Sequence, residues 1–244
     1  LCTYWPVPFY LSSRGYGLLV AESFDPRIEA ASAYPDVVRV SARGSDLTVY
    51  FFAQTDPIDR IRAYTDMTGK PRLAPTWVFL PWKSRSGGPT EPLIREDMEK
   101  MRALEIPTSA LNVEAWERWR GSFVIDRERY PQIEDLVRQA HERGYKMSFW
   151  MFPYVQAEAD NPVYLEGVRE GYFVKNRVGL PYPLITFFGS EVVIDMTHPE
   201  AVAWFQERVA SMYRLGFDAH MNDFGESIPP DGVFYNGRSG FEMR

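Results

Sequence analysis

The sequence predicts an α/β fold: the first half of a (β/α)8 TIM barrel, preceded by part of an N-terminal β-sandwich. Three observations carry that expectation. From residue 75 onward, short apolar runs alternate with amphipathic helical segments, the pattern of parallel βα units. Before residue 57 no helix-period segment occurs, only runs rich in Val, Leu, Tyr and Phe separated by turn residues. Residues 75–244 fall short of the roughly 250 that a closed barrel needs and match its first half.

In chain order, residues 1–56 read as the end of a β-sandwich domain. Their strands are "YGLLVAES", "DVVRVSA" and "DLTVYFFAQ", with turns at "SSRGYG" and "ARGSD". Three or so strands are too few to close a sandwich. Residues 57–74 form a linker. It opens with helical spacing at Ile58, Ile61 and Tyr64 and is broken by Gly69, Pro71 and Pro75. Residues 75–244 form the N-terminal half of the barrel.

The barrel half begins with "TWVFLPW", a continuous apolar run suited to a strand buried on both faces. "TEPLIREDMEKMRALEI" follows as a helix with Ile94, Met98, Met101 and Leu104 on one face. "PTSALNV" is the second strand. In the second helix Ile133, Leu136, Val137 and Ala140 face the core and Gly144 ends it. "YKMSFWMF" is the third strand, and an irregular stretch then runs from Pro153 to about Ser190. "EVVIDM" reads as a short strand. The next helix carries a Thr197/Glu200 capping box, a stripe at Val202, Phe205, Val209 and Met212, and a stop at Gly216. "FDAHMN" is the last strand.

Composition narrows the function. Hydrophobic residues at 45% and charged residues at 25% suit a soluble globular protein. A net charge of −6 with no basic stripe argues against a nucleic-acid partner. The single Cys2 excludes an internal disulfide framework and a Cys-rich metal site. His141, His198 and His220 show neither HxH nor HExxH spacing, and no GxGxxG or GxxxxGK[ST] follows a strand. No metal, nucleotide or other cofactor is therefore expected. The longest apolar runs are too short for a membrane span. Aromatic residues at 15% serve either a wide core or a sugar-binding surface.

In a barrel of this kind the carboxyl ends of the strands build the site. Those ends supply Arg85, Glu114, Trp150, Asp195, Met221, Asp223 and Glu226. Acids, rings and one Arg converge without a metal-ligand set, which suits glycosidic bond cleavage by two carboxyl groups. Asp223 is the strongest candidate, because a rigid strand aims it and Gly225 lets the chain turn. It reads as a carboxylate nucleophile or as a loop acid capping the next segment. Glu226 reads as a supporting acid bonded to neighbouring strand ends or as a solvated one. Glu114 binds substrate hydroxyls or a rim partner. Arg85 contacts substrate or is solvated. Trp150 is core or a ligand platform. Asp195 reads as a turn acid and His220 as a satisfied barrel histidine.

"HMNDFGESIPPDGVFYNGRSG" resembles the nucleophile motif of glycoside hydrolase family 31. "PFYLSSRGYGLLV" is similar to the end of that family's β-sandwich and "IDRIRAYTDMTGKPRLAPTW" to its linker. "IPTSALNV", "FVIDRERYPQIEDLVRQAHERGYKMSFWMFPYV" and "VVIDMTHPEAVAWFQERV" resemble the first half of its barrel. The ordered series covers nearly the whole chain.

The resemblance implies a retaining α-glycosidase, with a carbohydrate α-glycoside as substrate and Asp223 as the nucleophile. It gives Trp150 a place in the sugar pocket and puts Glu114 where many members carry a hydroxyl-binding Asp. Met221 falls where the α-xylosidases have a Lys. The loss of that charged donor favours an α-glucosidase-like reading. Sulfoquinovosidase-type, α-xylosidase-type and non-catalytic carbohydrate-binding members remain alternatives.

The family's acid/base Asp is expected beyond Arg244, so the chain is expected to be a fragment, inactive and poorly stable alone. A cytoplasmic location is expected from one Cys and no leader, and a homo-oligomeric full-length protein is compatible with the sequence.

Overall fold

The computed structural model describes residues 7–22, 26–42 and 45–243. Cys2, the Arg43–Gly44 part of the expected "ARGSD" turn, and Arg244 lie outside the described residues. The chain divides into two compact units, one within residues 1–73 and one spanning Ala74–Met243.

The first unit contains β1 (Phe9–Ser12), β2 (Tyr16–Val20), β3 (Arg27–Ala30), β4 (Val38–Ser41) and β5 (Val49–Phe52). Strands β1, β2 and β5 form an antiparallel sheet with β2 central, and β3 pairs with β4 as a hairpin. Leu18, Leu19, Val20 and Phe52 are its buried hydrophobic residues among those described.

Helix α1 (Pro57–Thr68) starts where Asp56 accepts the Ile58 N–H at 2.7 Å, and Pro57 pre-sets the first helical turn. Of its expected apolar stripe only Tyr64 packs, stacked on Phe9 at 4.1 Å; Ile58 and Ile61 are exposed. Arg60 is buried instead. Its guanidinium donates to the carbonyls of Gln54 and Thr55, which ties the chain entering the helix to the helix itself.

The second unit opens differently from expectation. Thr76–Phe79 form a 3₁₀ turn, and strand β6 spans only Trp82–Ser84. Pro81 has no N–H to give a ladder, and β6 is an edge strand paired only with β7 (Ala110–Val113). Val78, Phe79, Leu80 and Trp82 are accordingly exposed, not buried on two faces.

Between them lies α2 (Glu91–Ala103), which buries Ile94 and Met98 but leaves Leu104 outside the helix and exposed. Helix α3 (Ile133–Glu142) buries all four expected residues. Strand β8 (Lys146–Met151) follows, and β12 (Ala219–Asn222) completes a parallel sheet in the order β6-β7-β8-β12. On its helical face Leu111, Val113, Met147, Phe149 and Met151 pack with residues of α2, α3 and α5 (Pro199–Arg214). The period of two sends Asn112, Ser148 and Trp150 to the opposite face.

The stretch expected to be irregular is built. Strand β9 (Tyr154–Gln156), helix α4 (Pro162–Glu170), β10 (Leu184–Thr186) and β11 (Gly189–Val193) form an insertion with its own antiparallel sheet, ordered β10-β11-β9. "EVVIDM" therefore joins the insertion sheet and not the parallel one. Strands of three residues carry too little periodicity to be read. Helix α4 did carry its punctuation: Asn161 caps Val163 N–H, Pro162 opens it and Gly171 closes it. Helix α5 starts at His198, whose Nδ1 accepts the Glu200 N–H, and not at a Thr197/Glu200 box. Pro199 sets the first helical position one residue later, which frees Thr197 to donate to Asp195 at 2.7 Å.

Candidate active site

The parallel register places Ser84, Asn112, Ser148 and Ala219 side by side. Two residues further along, Trp150 pairs with Met221, and Asp223 follows β12 directly. This is the carboxyl end of the sheet, on the face turned away from the helices. Trp150 Nε1 donates to Asp223 Oδ2 at 2.8 Å. Asp223 Oδ1 accepts the Phe224 N–H at 3.0 Å, and the Asp223 N–H extends the ladder to the Met151 carbonyl at 2.9 Å. The carboxylate is thus held by one indole and one backbone donor at the mouth of the sheet.

Glu114 lies just past β7, where its Oε1 accepts the Ser84 hydroxyl at 2.5 Å. Asn112 Nδ2 reaches Ser84 Oγ at 3.4 Å and the Met221 sulfur at 3.6 Å. Asn112 Oδ1 and Ser148 Oγ, neighbours across the β7–β8 pairing, are buried polar atoms with no hydrogen-bond partner among the described residues, so the floor beneath the rim is polar. Trp150, Glu114, Met221 and Asp223 are therefore brought to one face.

Arg85 is not. Its Nε and Nη2 fork onto Asp97 of α2 at 2.6 and 2.8 Å, and Nη2 also reaches Glu96. The hydrogen bond to Asp97 and the charge of that carboxylate hold the guanidinium above its already high value. This is a strand-to-helix tie on the other side of the sheet. Glu226 sits in the turn after Asp223, and its carbonyl accepts the Ile228 N–H.

Asp195 is 3% exposed and works structurally. Oδ1 holds Thr197, and Oδ2 accepts the Tyr235 N–H at 2.6 Å, tying the start of α5 to the loop beyond β12. His220 faces α5, where Tyr213 OH meets its Nδ1 at 2.5 Å, and burial pushes its basicity down.

Three further residues stand behind this rim: Trp116 and Tyr154, which the sequence places at the ends of the second and third strand runs, and Phe188, from the stretch that reads as irregular. Trp116 is fully buried and donates Nε1–H to the Trp150 carbonyl at 2.8 Å. Tyr154, expected at the end of a barrel strand, instead opens β9 and turns its hydroxyl to the segment after Asp223. Phe188, at the β10–β11 turn, sets its ring near Trp150, Phe152 and Phe224 at 6.0, 5.9 and 5.3 Å. Its backbone is clamped by the Thr186 hydroxyl and by Arg120, which lies beside the buried Glu191. Burial pushes the Glu191 carboxyl up, against the pull of Thr186 and Arg120.

Among the described residues no cluster of His, Cys, Asp and Glu is arranged to hold a metal ion. What the arrangement offers chemically is an oriented carboxylate beside an indole, above a polar floor.

A family model described as the glycosyl hydrolases family 31 TIM-barrel domain matches residues 71–239. The α-xylosidase XylQ of Lactiplantibacillus pentosus is 30% identical over 96% of this chain and 31% of its own length. A Flavobacterium johnsoniae dextranase structure complexed with glucose superposes with a TM-score of 0.85 at 22% identity, over 97% of this chain and 30% of that one. The cycloalternan-degrading enzyme from Trueperella pyogenes, solved in complex with a covalent intermediate, matches with a TM-score of 0.80 at 23% identity, over 99% of this chain and 38% of that one. The chain spans about a third of the length of the curated relative and of these solved structures.

Proposed function

The chain belongs to glycosyl hydrolase family 31, and from that premise we propose that it is the nucleophile-bearing part of a retaining α-glycosidase, with Asp223 attacking the anomeric carbon. The observation that carries the reading is the placement of Asp223 at the carboxyl end of a parallel strand, with Oδ2 oriented by Trp150. In the first step a carboxylate oxygen bonds to the anomeric carbon as the bond to the leaving oxygen breaks. That oxygen takes its proton from a second carboxyl group. In the second step water gives a proton back to that second carboxylate as it attacks the same carbon, and the bond to Asp223 breaks to release it. The solved relative described with a covalent intermediate supports this course. The second carboxyl is proposed to lie beyond Arg244.

Glu114 is positioned to accept sugar hydroxyls, with Ser84 already bonded to one of its oxygens. Met221, paired with Trp150 beside Asp223, puts an uncharged thioether where a Lys would put a cation. That supports an α-glucoside as the substrate, as does the dextranase with glucose among the fold relatives. The 30% identity to an α-xylosidase favours an α-xyloside as a second reading.

The test uses the full-length protein that carries this chain, incubated with 5-fluoro-α-D-glucosyl fluoride and digested for peptide mapping. The label is expected on Asp223, and Asp223→Asn is expected to lose turnover. A label on another residue, or turnover surviving in Asp223→Asn, refutes the assignment. Rates on 4-nitrophenyl α-glucoside and α-xyloside then separate the two substrates.

A further inference from the structure

The turn that follows Asp223 is held in an unfavourable backbone conformation. Phe224 has φ of 59° and Gly225 φ of 108°. A side chain at positive φ is disfavoured and persists only where neighbours over-determine it. Glycine bears the second position without penalty; Phe224 needs an external hold.

One buried group supplies it. The Tyr154 hydroxyl oxygen accepts the N–H of Gly225 at 3.1 Å and the N–H of Ser227 at 3.0 Å. Tyr154 is 1% exposed, its ring lies edge-on to Phe152 at 5.4 Å, and its backbone pairs with Val193 of β11. The hydroxyl is therefore a fixed point. On the other side of Asp223 the Met151 carbonyl takes the Asp223 N–H. The carboxylate sits between two anchors, one on β8 and one on β9.

We propose that Tyr154 is a positioning residue for Asp223: by accepting both turn amides it locks the Asp223–Ser227 turn and keeps the carboxylate in line with Trp150 and the anomeric carbon. The inference rests on the reading of Asp223 as nucleophile. Tyr154 is buried and its hydroxyl bonds to the turn amides and not to the carboxylate, so its loss is expected to act on the rate of attack and not on sugar binding. A displacement near 1 Å of a reacting group costs on the order of 100-fold.

The experiment compares wild type with Tyr154→Phe in the full-length protein, since Phe keeps the ring and removes only the oxygen. Amide hydrogen exchange at Gly225 and Ser227 is expected to accelerate by at least about tenfold. The rate of Asp223 labelling by 5-fluoro-α-D-glucosyl fluoride and kcat on 4-nitrophenyl α-glucoside are expected to fall together by about 10- to 100-fold, with KM unchanged. A purely structural role would lower the amount of active enzyme without this split. Unchanged exchange at the two amides overturns the proposal, as does faster exchange with an unaltered labelling rate. If Tyr154→Phe does not fold, exchange in wild type decides: protected Gly225 and Ser227 amides support the lock, and unprotected ones refute it. Turnover surviving in Asp223→Asn would sink the nucleophile reading and the catalytic half of this proposal with it, whereas the turn lock stands or falls on the exchange result, which is read without activity.

Discussion

The indole of Trp150 donates to the carboxylate of Asp223 across the parallel pairing of β8 and β12, at 2.8 Å. Two rigid strands thus meet in one hydrogen bond to a charged group, the kind of contact that orients strongly because its loss leaves charge unmatched. The same Trp150 is tethered behind by its carbonyl, which takes the Trp116 indole N–H at 2.8 Å. Replacing Trp150 by Phe keeps a ring and removes the donor. Hydrogen bonds to charged groups contribute about 1.5–3 kcal/mol, so kcat/KM on an aryl α-glycoside should fall by about 10- to 100-fold. Steady-state kinetics on the full-length protein checks this.

Arg85 should behave in the opposite way. Its guanidinium is taken up by Asp97 and Glu96 of α2, so it joins β6 to the helix that covers it. Arg85→Gln should lower the melting temperature and leave KM for the glycoside unchanged. A raised KM with an unchanged melt would return Arg85 to the pocket.

What the sequence made legible follows from how local each cause is. The four core residues of α3 were readable because one dry helix face repeats over ten residues. Asp223 was readable as a strand-end acid for the same local reason, an apolar run followed by a glycine turn. The side of the sheet on which Arg85 lies was not, because β6 has three residues and Asp97 is twelve positions away. The shared rim was legible from the strand ends, but not which groups bond to Asp223. Trp150 is 73 residues from it, and Tyr154 is 71 from Gly225, across an insertion whose strands are too short to announce themselves. Periodicity reports a face; it does not report which long-range neighbour fills it.

Gly121 marks a close approach between the β7–α3 loop and Tyr154. A Cβ there would lie 1.7 Å from the Tyr154 carbonyl oxygen, and φ is 69°. Backbone must move to admit it, so Gly121→Ala should cost at least about 3 kcal/mol. Gly179 has φ of 84° with open space around its Cβ position, and Gly179→Ala should cost only the conformational penalty of about 1–2 kcal/mol. Denaturant melts of the two variants distinguish clash from strain.

Glu117 should make stability depend on pH near neutrality. Burial pushes its carboxyl up to about 7, against the pull of the Phe123 and Gly121 N–H groups and of Arg120. A folded value above the ordinary 4.5 means that the folded state holds the proton more tightly than the unfolded chain. Stability from this group is therefore full below about 4.5, declines as pH rises toward 7, and is level above that. The drop is on the order of 3 kcal/mol. Glu117→Gln cannot titrate and should flatten the decline, a difference that melts at pH 5 and pH 8 would resolve.

The two acids at either end of β12 should separate cleanly. Asp218 precedes the strand, where it accepts from Lys146 at 2.7 Å, His141 at 2.8 Å and the Met147 N–H at 3.0 Å. Burial alone would raise its carboxyl, but these three donors together hold it below the usual range. A depressed folded value gives stability that is present above the unfolded pKa and lost as pH falls through the folded one. Asp218→Asn should therefore destabilise by about 1.5–3 kcal/mol at neutral pH, narrow the acid sensitivity of the melt, and leave kcat per folded molecule intact. Asp223→Asn should do the reverse, with turnover lost and the melt nearly unchanged, because its partners orient it at an open rim and do not bury it. If both variants lose stability alike, Asp223 is a second structural tie and the catalytic assignment fails.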